Sequence, residues 1–307
     1  MNDLLDQALA ELAARYPLIV NGVVDPQRTE EQLVRQSQQI LADFMADKEP
    51  SALTVGLDAF AKISFDFLRL QSRFLKSGRY KRDDAEALIR DLYRNSEKME
   101  GYYLDGLFLT YAFWPNHAQI LRFYQESFLA AQKSDGPLLE VGIGHGLMAL
   151  LTLRNLAGIT LTGLDVSPAA LVYAQRLLSR HGISANGYSL HEVDVMNEED
   201  MASVSTPEGG WSGAICCEVV EHVMNPRALL TRIYAMLRPG AQFFMTTVVN
   251  IEAEDHVYLF ENSEQIRELT AKCGFNTEKE LILTLPGFDA GPRQPLNYAA
   301  ILTRPIQ

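Results

Sequence analysis

Cysteine and basic residues are scarce in this sequence of 307 residues. Only three cysteines are present, and Cys216 and Cys217 are neighbours that a strand would direct to opposite faces. A disulfide framework is therefore excluded, and a reducing cytoplasm is the expected location. Lysine and arginine number 27 against 39 aspartate and glutamate residues, and the net charge of -12 argues against a nucleic-acid partner, which is itself a polyanion.

The N-terminal end lacks the long apolar run of a signal peptide or a membrane span. In MNDLLDQALAELAARY there is no basic start, and Asp, Gln and Glu interrupt the apolar positions. We therefore expect an amphipathic helix over residues 2–16 and no membrane association. Helices of this kind often dock to a second subunit, so a homodimer is one expected assembly.

Residues 1 to about 130 carry helical patterns only, with apolar positions such as Leu33, Ile40 and Phe44 recurring at spacings of three and four. Thr29 and Gln32 are expected to form a capping box at the start of that helix. Further helices are predicted over residues 57–76, 83–93 and 115–132, and Ser77-Gly78 would end the first of these.

After Gly136 the pattern changes to strands that alternate with helices. Strands are predicted over residues 138–142, 160–165, 189–195, 211–218 and 242–249. This alternation is typical of the α/β class, in which a parallel sheet is connected by right-handed crossovers.

The stretch LLEVGIGHG holds the strongest single signal in the chain. Glu140 is followed by Gly142, Gly144 and Gly146, which let the backbone turn sharply and approach a ligand closely. A dinucleotide-binding turn would have the spacing GxGxxG, but Leu147 occupies that last glycine position. A carboxylate at Glu140 would also repel a pyrophosphate, so the turn favours a cationic ligand that carries an adenosine group.

With this acid-first GxGxG turn, the sequence resembles the class I S-adenosylmethionine (SAM) methyltransferases, roughly from Gly136 to the C-terminus. The resemblance implies a Rossmann-like, seven-stranded, mostly parallel sheet with an antiparallel last strand, closed by a hairpin of residues 281–285 and 297–303. An all-helical cap and substrate domain would occupy residues 1–130, and the SAM-binding domain residues 131–307. SAM is then the expected cofactor, and a small molecule is the expected substrate.

The resemblance also implies roles for residues at the strand ends. Glu140 and the glycine turn would lie beside the methionine part of SAM, and Asp165 would accept hydrogen bonds from both ribose hydroxyls. The other implied cofactor contacts are Val166 against the adenine, Asp194 on its amino group, the Val195 backbone N–H on the ring, and Glu218. An alternative for Asp165 and Asp194 is helix capping or turn formation.

Two polar loops follow the predicted fourth and fifth strands, where the transferred group should lie. EVVEHV holds Glu218, Glu221 and His222, which one helical turn would bring together, and NIEAEDHVYLF holds Asp255 and His256. One interpretation is that they cap a helix or lie on a solvated loop. A second makes His222 or His256 a general base beside Glu221.

A third interpretation, which is not favoured, is a divalent metal held by Glu218, Glu221, His222 and His256. The motif resembles that of the metal-dependent small-RNA 2′-O-methyltransferases, and ubiquinone-pathway O-methyltransferases have a similar EH pair.

The richest aromatic stretch, residues 102–125, lies just before the predicted cofactor domain. We expect it to form a lid, because aromatic faces such as those of Tyr111 and Trp114 stabilise a sulfonium cation and exclude water. Asn116 adds a polar group, and these three residues are further catalytic candidates. The alternative is that the aromatic residues pack the helices against the sheet.

Three functions remain open at this point. The first is methyl transfer from SAM to a small molecule, in bacterial secondary metabolism, with positioning of the reactants as the main source of rate. The second is cyclisation of SAM to azetidine-2-carboxylate and methylthioadenosine, since a helical cap on a class I core is weakly similar to bacterial azetidine-2-carboxylate synthases. The third is a catalytically inactive protein that binds SAM or a partner.

Overall fold

The computed structural model describes residues 4–24, 30–80, 92–132, 136–285, 287–288 and 291–306. One seven-stranded sheet runs through it in the order β3-β2-β1-β4-β5-β7-β6. Strands β1 to β5 are parallel, and β7 pairs antiparallel with both β5 and β6. This confirms the predicted fold class. The strands are β1 (Leu138–Val141), β2 (Leu161–Asp165), β3 (Tyr188–Glu192), β4 (Trp211–Cys217), β5 (Leu237–Val249), β6 (Asn276–Thr284) and β7 (Leu296–Thr303).

The described N-terminal part is helical apart from short connecting segments, and further helices flank the sheet. The longer N-terminal helices are α1 (Leu4–Arg15), α2 (Pro17–Val23), α3 (Glu31–Met45), α4 (Ser51–Ser77), α5 (Leu104–Phe113) and α6 (Pro115–Phe123). A short helix (Ser96–Lys98) and a π-helical turn (Met99–Tyr103) lead into α5. The longer helices of the α/β part are α7 (Leu147–Asn155), α8 (Pro168–Arg180), α9 (Pro226–Met236) and α10 (Ser263–Lys272). Helices α8, α9 and α10 begin where Ser167, Asn225 and Asn262 accept a backbone N–H bond from the first turn.

The helix boundaries differ from the prediction in several places. Helix α4 ends as expected before Gly78, whose φ of 65° suits a left-handed C-cap, but it begins at Ser51 rather than near residue 57. Helix α3 has Glu30 as its N-cap, and Thr29 of the expected capping box lies outside the described residues. Most of the helix predicted over 83–93 also lies outside them.

The helix predicted over 115–132 is regular only as far as Phe123. A π-helical turn (Tyr124–Phe128) and a 3-10 turn (Leu129–Ala131) continue it. The Tyr124 and Phe128 rings stack 5.4 Å apart, and both contact Phe244 of β5. The sequence prediction missed the wider turn because it depends on this contact with the sheet.

One apolar core joins the N-terminal helices to the sheet. Phe44, Phe108 and Phe113 belong to the same buried cluster as Ile215 and Phe244 on one face of the sheet. Leu139, Trp211 and Phe243 belong to a second cluster on the other face. The division into domains at residue 130 stays a prediction. No helix within the described ranges combines the length and the apolar character that a membrane crossing requires.

Helices α4 and α5 cross closely at Gly106. A Cβ atom there would lie 2.8 Å from the Ala59 carbonyl oxygen, whereas a Cβ atom at Gly101 would meet nothing within 4 Å in the described part of the chain. We expect Gly106→Ala to lower the free energy of unfolding by about 1–3 kcal/mol, because backbone atoms cannot give way as a side-chain end can. The matched Gly101→Ala should be neutral or stabilise by up to about 1 kcal/mol. Urea denaturation of both variants checks this, and equal effects would contradict the close crossing.

Candidate active site

A cavity of about 350 Å³ lies at the carboxyl ends of the parallel strands, underneath α4 and α5. Its lower wall includes residues at the carboxyl ends of β1, β2, β4 and β5 and residues that follow β1 to β5. Its upper wall comes from the helices, including Phe67 of α4 and Leu107 of α5. This is where ligands bind in open α/β sheets.

The glycine turn after β1 forms the central part of the cavity wall. Gly142, Gly144 and Gly146 all have positive φ angles, of 72°, 52° and 76°. A Cβ atom at Gly142 would lie 2.4 Å from Val219 Cγ2, so only glycine fits there. A Cβ atom at Gly144 would have only the Gly142 carbonyl oxygen within 4.0 Å among the described residues outside its chain neighbours. That side of the turn therefore faces open cavity.

Glu140 lies on the β1 strand beneath this turn and is 3% exposed. The residue lines the cavity, and its Oε2 atom has no hydrogen-bond partner in the described part of the chain. Burial raises the pKa of Glu140 well above its usual value, and the nearby Asp165 carboxylate raises it further. A ligand cation would compensate this carboxylate, and a phosphate group would not.

Asp165 is fixed by two backbone groups at the end of β2. Its Oδ2 accepts the Gly144 N–H at 2.9 Å, and its Oδ1 accepts the Ser167 N–H at 2.8 Å. Desolvation raises the pKa of Asp165 to about 6, although these hydrogen bonds oppose the shift. Each oxygen retains a lone pair for a ligand hydroxyl, so turn formation and ribose binding are compatible.

The predicted adenine contacts lie at the same end of the cavity. Val166, Asp194 and Val195 all line it. Asp194 is exposed, and its Oδ1 accepts the Met196 N–H at 2.8 Å. The structure thus brings every predicted cofactor residue except Gly146 to one cavity, and the individual roles stay predictions. A Cβ atom at Gly146 would lie 2.9 Å from Ala174 Cβ, so this glycine allows the turn to pack against α8.

The EVVEHV segment does not form the helical turn that was expected. Glu218 follows β4 with a φ of 53°, a strained angle for a residue other than glycine, and a short 3-10 turn (Val220–His222) comes next. This geometry directs Glu218 and His222 to the cavity. Glu221 is instead fully buried behind it, where its Oε2 accepts the Thr247 hydroxyl at 2.7 Å.

Glu218 and Glu221 each retain a carboxyl oxygen, Oε1, that has no hydrogen-bond partner in the described residues. Burial raises the pKa of both groups, and for Glu221 the neighbouring Glu218 carboxylate adds to the shift. A shared proton, a ligand donor or a cation would satisfy this pair.

Asp255 and His256 lie on the loop after β5, and both are buried, so the solvated-loop interpretation is wrong for them. The Tyr93 hydroxyl donates to Asp255 Oδ2 at 2.6 Å, and the Tyr103 hydroxyl donates to the same oxygen. Burial alone would raise the pKa of Asp255, but His222, His256 and the two hydroxyls outweigh it and hold the pKa at about 2.

The hydrogen bonds define the state of the two imidazoles. Because the single Tyr93 proton goes to Asp255, His222 Nδ1, which lies 2.8 Å from the Tyr93 oxygen, is the donor in that contact. His256 Nδ1 donates to the Ile251 carbonyl at 3.0 Å. Both Nε2 atoms therefore carry a lone pair. Burial lowers the pKa of both imidazoles, which keeps them neutral near pH 7.

Tyr93 was not found among the candidates from the sequence. It lies near the end of a predicted helix, and no local pattern links it to a loop more than a hundred residues away. A second link joins the same loop to α4, because the Gln71 amide donates to the Asn250 carbonyl at 2.8 Å and accepts the Glu252 N–H at 2.9 Å. Hydrogen bonds from the helical part thus hold the loop in place.

The geometry allows a metal site with three ligands rather than four. Ligand atoms of Glu221, His222 and His256 lie within 4.8 Å of one another. Glu218 is not part of that group. Mixed carboxylate and imidazole ligands suit a divalent transition metal.

The aromatic segment closes the cavity from above, as expected of a lid. Tyr111, Trp114 and Asn116 all line it. Trp114 lies against Phe67 at 5.4 Å, and its Nε1 has no hydrogen-bond partner in the described residues. The Asn116 amide donates to Asn297 Oδ1 at 2.9 Å and to the Thr284 carbonyl at 3.1 Å, which anchors the start of α6 to β6 and β7.

Comparison with known proteins identifies the class. A family model described as a methyltransferase domain matches residues 115–280, and the chain therefore belongs to this family of class I SAM-dependent methyltransferases.

Its curated relatives include the ubiquinone biosynthesis O-methyltransferases of Pseudomonas savastanoi pv. phaseolicola and Xanthomonas oryzae pv. oryzae. The first is 33% identical over 123 residues, which are 40% of this chain and 47% of that protein. The second is 33% identical over 113 residues, which are 36% and 42%. The chain spans about half the length of the curated relatives it matches.

Solved structures share the fold. The Haemonchus contortus phosphoethanolamine N-methyltransferase 2 has a TM-score of 0.53 at 15% identity, covering 73% of this chain and 61% of that one. The 4+2 cyclase SpnF has a TM-score of 0.51 at 17% identity, covering 63% and 83%. At these identities the likeness concerns the fold alone.

With Asp165 as the predicted ribose ligand, its pKa predicts how binding of S-adenosylhomocysteine (SAH), the demethylated form of SAM, depends on pH. Only the ionised carboxylate accepts both ribose hydroxyl protons, so the affinity should be full above about pH 7 and fall as the pH drops through about 6, by up to tenfold per unit. Calorimetric titration from about pH 8 to about pH 5 measures this. Asp165→Asn should bind SAH more weakly and without the pH dependence, and Asp6→Asn, on the exposed face of α1, should match the wild type. A flat wild-type profile would contradict the assignment.

Proposed function

We propose that this protein transfers the methyl group of SAM to a small-molecule acceptor. The observation that carries the proposal is the buried Glu140 carboxylate, without a partner in the described residues, beside a glycine turn that leaves room for a ligand. Family membership supports the same conclusion. In this arrangement residues 1–130 form the cap and substrate domain, and residues 131–307 bind SAM.

The residues present fit SAM. Glu140 would hold its ammonium group, Asp165 its ribose hydroxyls, and Val166, Asp194 and Val195 its adenine. When bound, SAM supplies an activated methyl carbon on a positively charged sulfur.

The chain itself contributes position, exclusion of water and a proton acceptor. Positioning is the main contribution to rate when the electrophile is already activated. The lid residues Tyr111 and Trp114 cover the cavity and reduce its dielectric constant. His222 Nε2, which lies 3.6 Å from Asp255 Oδ2, is the candidate proton acceptor, and Asp255 acts on His222 directly and through Tyr93 as a positioning residue.

An oxygen nucleophile agrees with the relatives that are named O-methyltransferases. A role in bacterial secondary metabolism, a cytoplasmic location and a homodimer belong to the proposal as well. A divalent metal at Glu221, His222 and His256 is the less favoured arrangement, because the methyl donor is already activated and needs no Lewis acid.

The reaction products test the proposal. The protein is incubated with SAM alone and with a panel of phenols, alcohols and amines, and the released nucleoside is identified by mass spectrometry. We expect SAH only when an acceptor is present, and the same turnover after EDTA treatment. Loss of turnover that Mg²⁺ or Zn²⁺ restores would instead support the metal site.

Release of methylthioadenosine from SAM alone would contradict the proposal and would support cyclisation of SAM instead. In that reaction the ligand's own amine attacks its γ-carbon, the carbon–sulfur bond breaks, and the amine loses a proton. SAH binding with neither product from any acceptor would support an inactive SAM-binding protein.

A further inference from the structure

We infer that the acceptor is a largely apolar molecule whose nucleophile is a hydrogen-bond donor, a hydroxyl or an amine, and that it carries no carboxylate or phosphate. The inference rests on the proposed methyl transfer and specifies the substrate class of the same cavity. It follows from the charge of the lining, from the direction of the hydrogen bonds and from the apolar wall.

The first argument is the charge of the cavity. Within the described ranges, no lysine or arginine lines it. Seven carboxyl side chains do: Asp66, Glu140, Asp165, Asp194, Glu218, Glu254 and Asp255. Enzymes that bind anionic substrates use lysine or arginine to hold them, since these groups pair with carboxylates and phosphates. Asp66 pairs with Lys62 and Arg69, and Glu254 pairs with Lys98, so these two carboxylates are already compensated. SAM brings positive charges of its own beside its carboxylate, whereas an anionic acceptor would enter this cavity without a cationic partner among the described residues.

The second argument is the hydrogen-bonding direction at the end where the proton is released. The hydroxyl protons of Tyr93 and Tyr103 are both used on Asp255, and the Nδ1–H groups of His222 and His256 are used on Tyr93 and on the Ile251 carbonyl. What remains there is His222 Nε2, which lies 3.6 Å from Asp255 Oδ2, and His256 Nε2, and both are acceptors. A ligand hydroxyl or amine can donate a hydrogen bond to these acceptor atoms. A ligand group that only accepts hydrogen bonds cannot.

The third argument is the apolar wall under the lid. Phe67 contacts Trp114 at 5.4 Å and Phe288 at 6.1 Å between ring centroids, and Val248 and Leu285 continue the same surface. Such a surface binds the body of an aromatic or aliphatic molecule. The polar nucleophile would then point to the acceptor groups at the other end.

The transfer step balances with these groups. The acceptor's oxygen or nitrogen bonds to the methyl carbon, the carbon–sulfur bond breaks with its electron pair going to sulfur, and the acceptor's proton passes to His222 Nε2 or Glu218. SAH and the methylated acceptor are the products.

The test compares three probes that share one aromatic body: tyrosol, which is neutral, tyramine, which is cationic, and 4-hydroxyphenylacetate, which is anionic. SAH binding is first measured by calorimetry, and the affinities of the probes for the SAH-saturated protein are then measured by ligand-observed NMR. We expect tyrosol and tyramine to bind at least about tenfold more tightly than 4-hydroxyphenylacetate.

Two variants connect this preference to the site. Glu218→Gln should reduce the ratio of the tyramine affinity to the 4-hydroxyphenylacetate affinity by about threefold or more, because an amide replaces an acceptor carboxyl. The matched control Glu264→Gln, on the solvent side of α10, should leave this affinity ratio unchanged. Equal or tighter binding of 4-hydroxyphenylacetate, or no binding of any probe while SAH binds, overturns the inference. Failure of SAH itself to bind overturns the proposed function instead.

Discussion

A buried carboxylate without a partner in the described residues is the constraint on which the site depends. Glu140 is 3% exposed and lines the cavity beside the glycine turn. Burying a charge in this way is unfavourable unless a cation or a donor compensates it. The rest of the site is arranged around that requirement, because the turn, Asp165 and the strand ends all face the same cavity.

The N-terminal helical part covers the cavity and also positions the loop after β5. Its Tyr93, Tyr103 and Gln71 bond to the loop after β5, and Asn250 in that loop holds a positive φ of 53°. A strained backbone persists only where its surroundings fix it, and the reciprocal Gln71 bonds to Asn250 and Glu252 provide this. The helices therefore determine where Asp255 and the two imidazoles lie, and so connect the fold to the chemistry.

The sequence was sufficient for features that depend on local patterns. The parallel strands, the glycine turn with Glu140 and the Gly78 helix end were predicted, since periodicity and glycine conformation are local properties. The link between Tyr93 and Asp255, the burial of Asp255 and the inward orientation of Glu221 were not predicted. Each of these depends on contacts between distant segments or on the 3-10 turn that replaces a regular helical turn after Glu218.

The central claim, that Glu140 binds the ammonium group of the ligand, is tested by comparing two nucleosides. SAH carries the amino acid arm, and methylthioadenosine lacks it. Calorimetry of wild type and Glu140→Gln should show a loss of about 10- to 100-fold in SAH affinity and no more than about a twofold change for methylthioadenosine. An equal loss for both ligands, or no loss for SAH, would contradict the account.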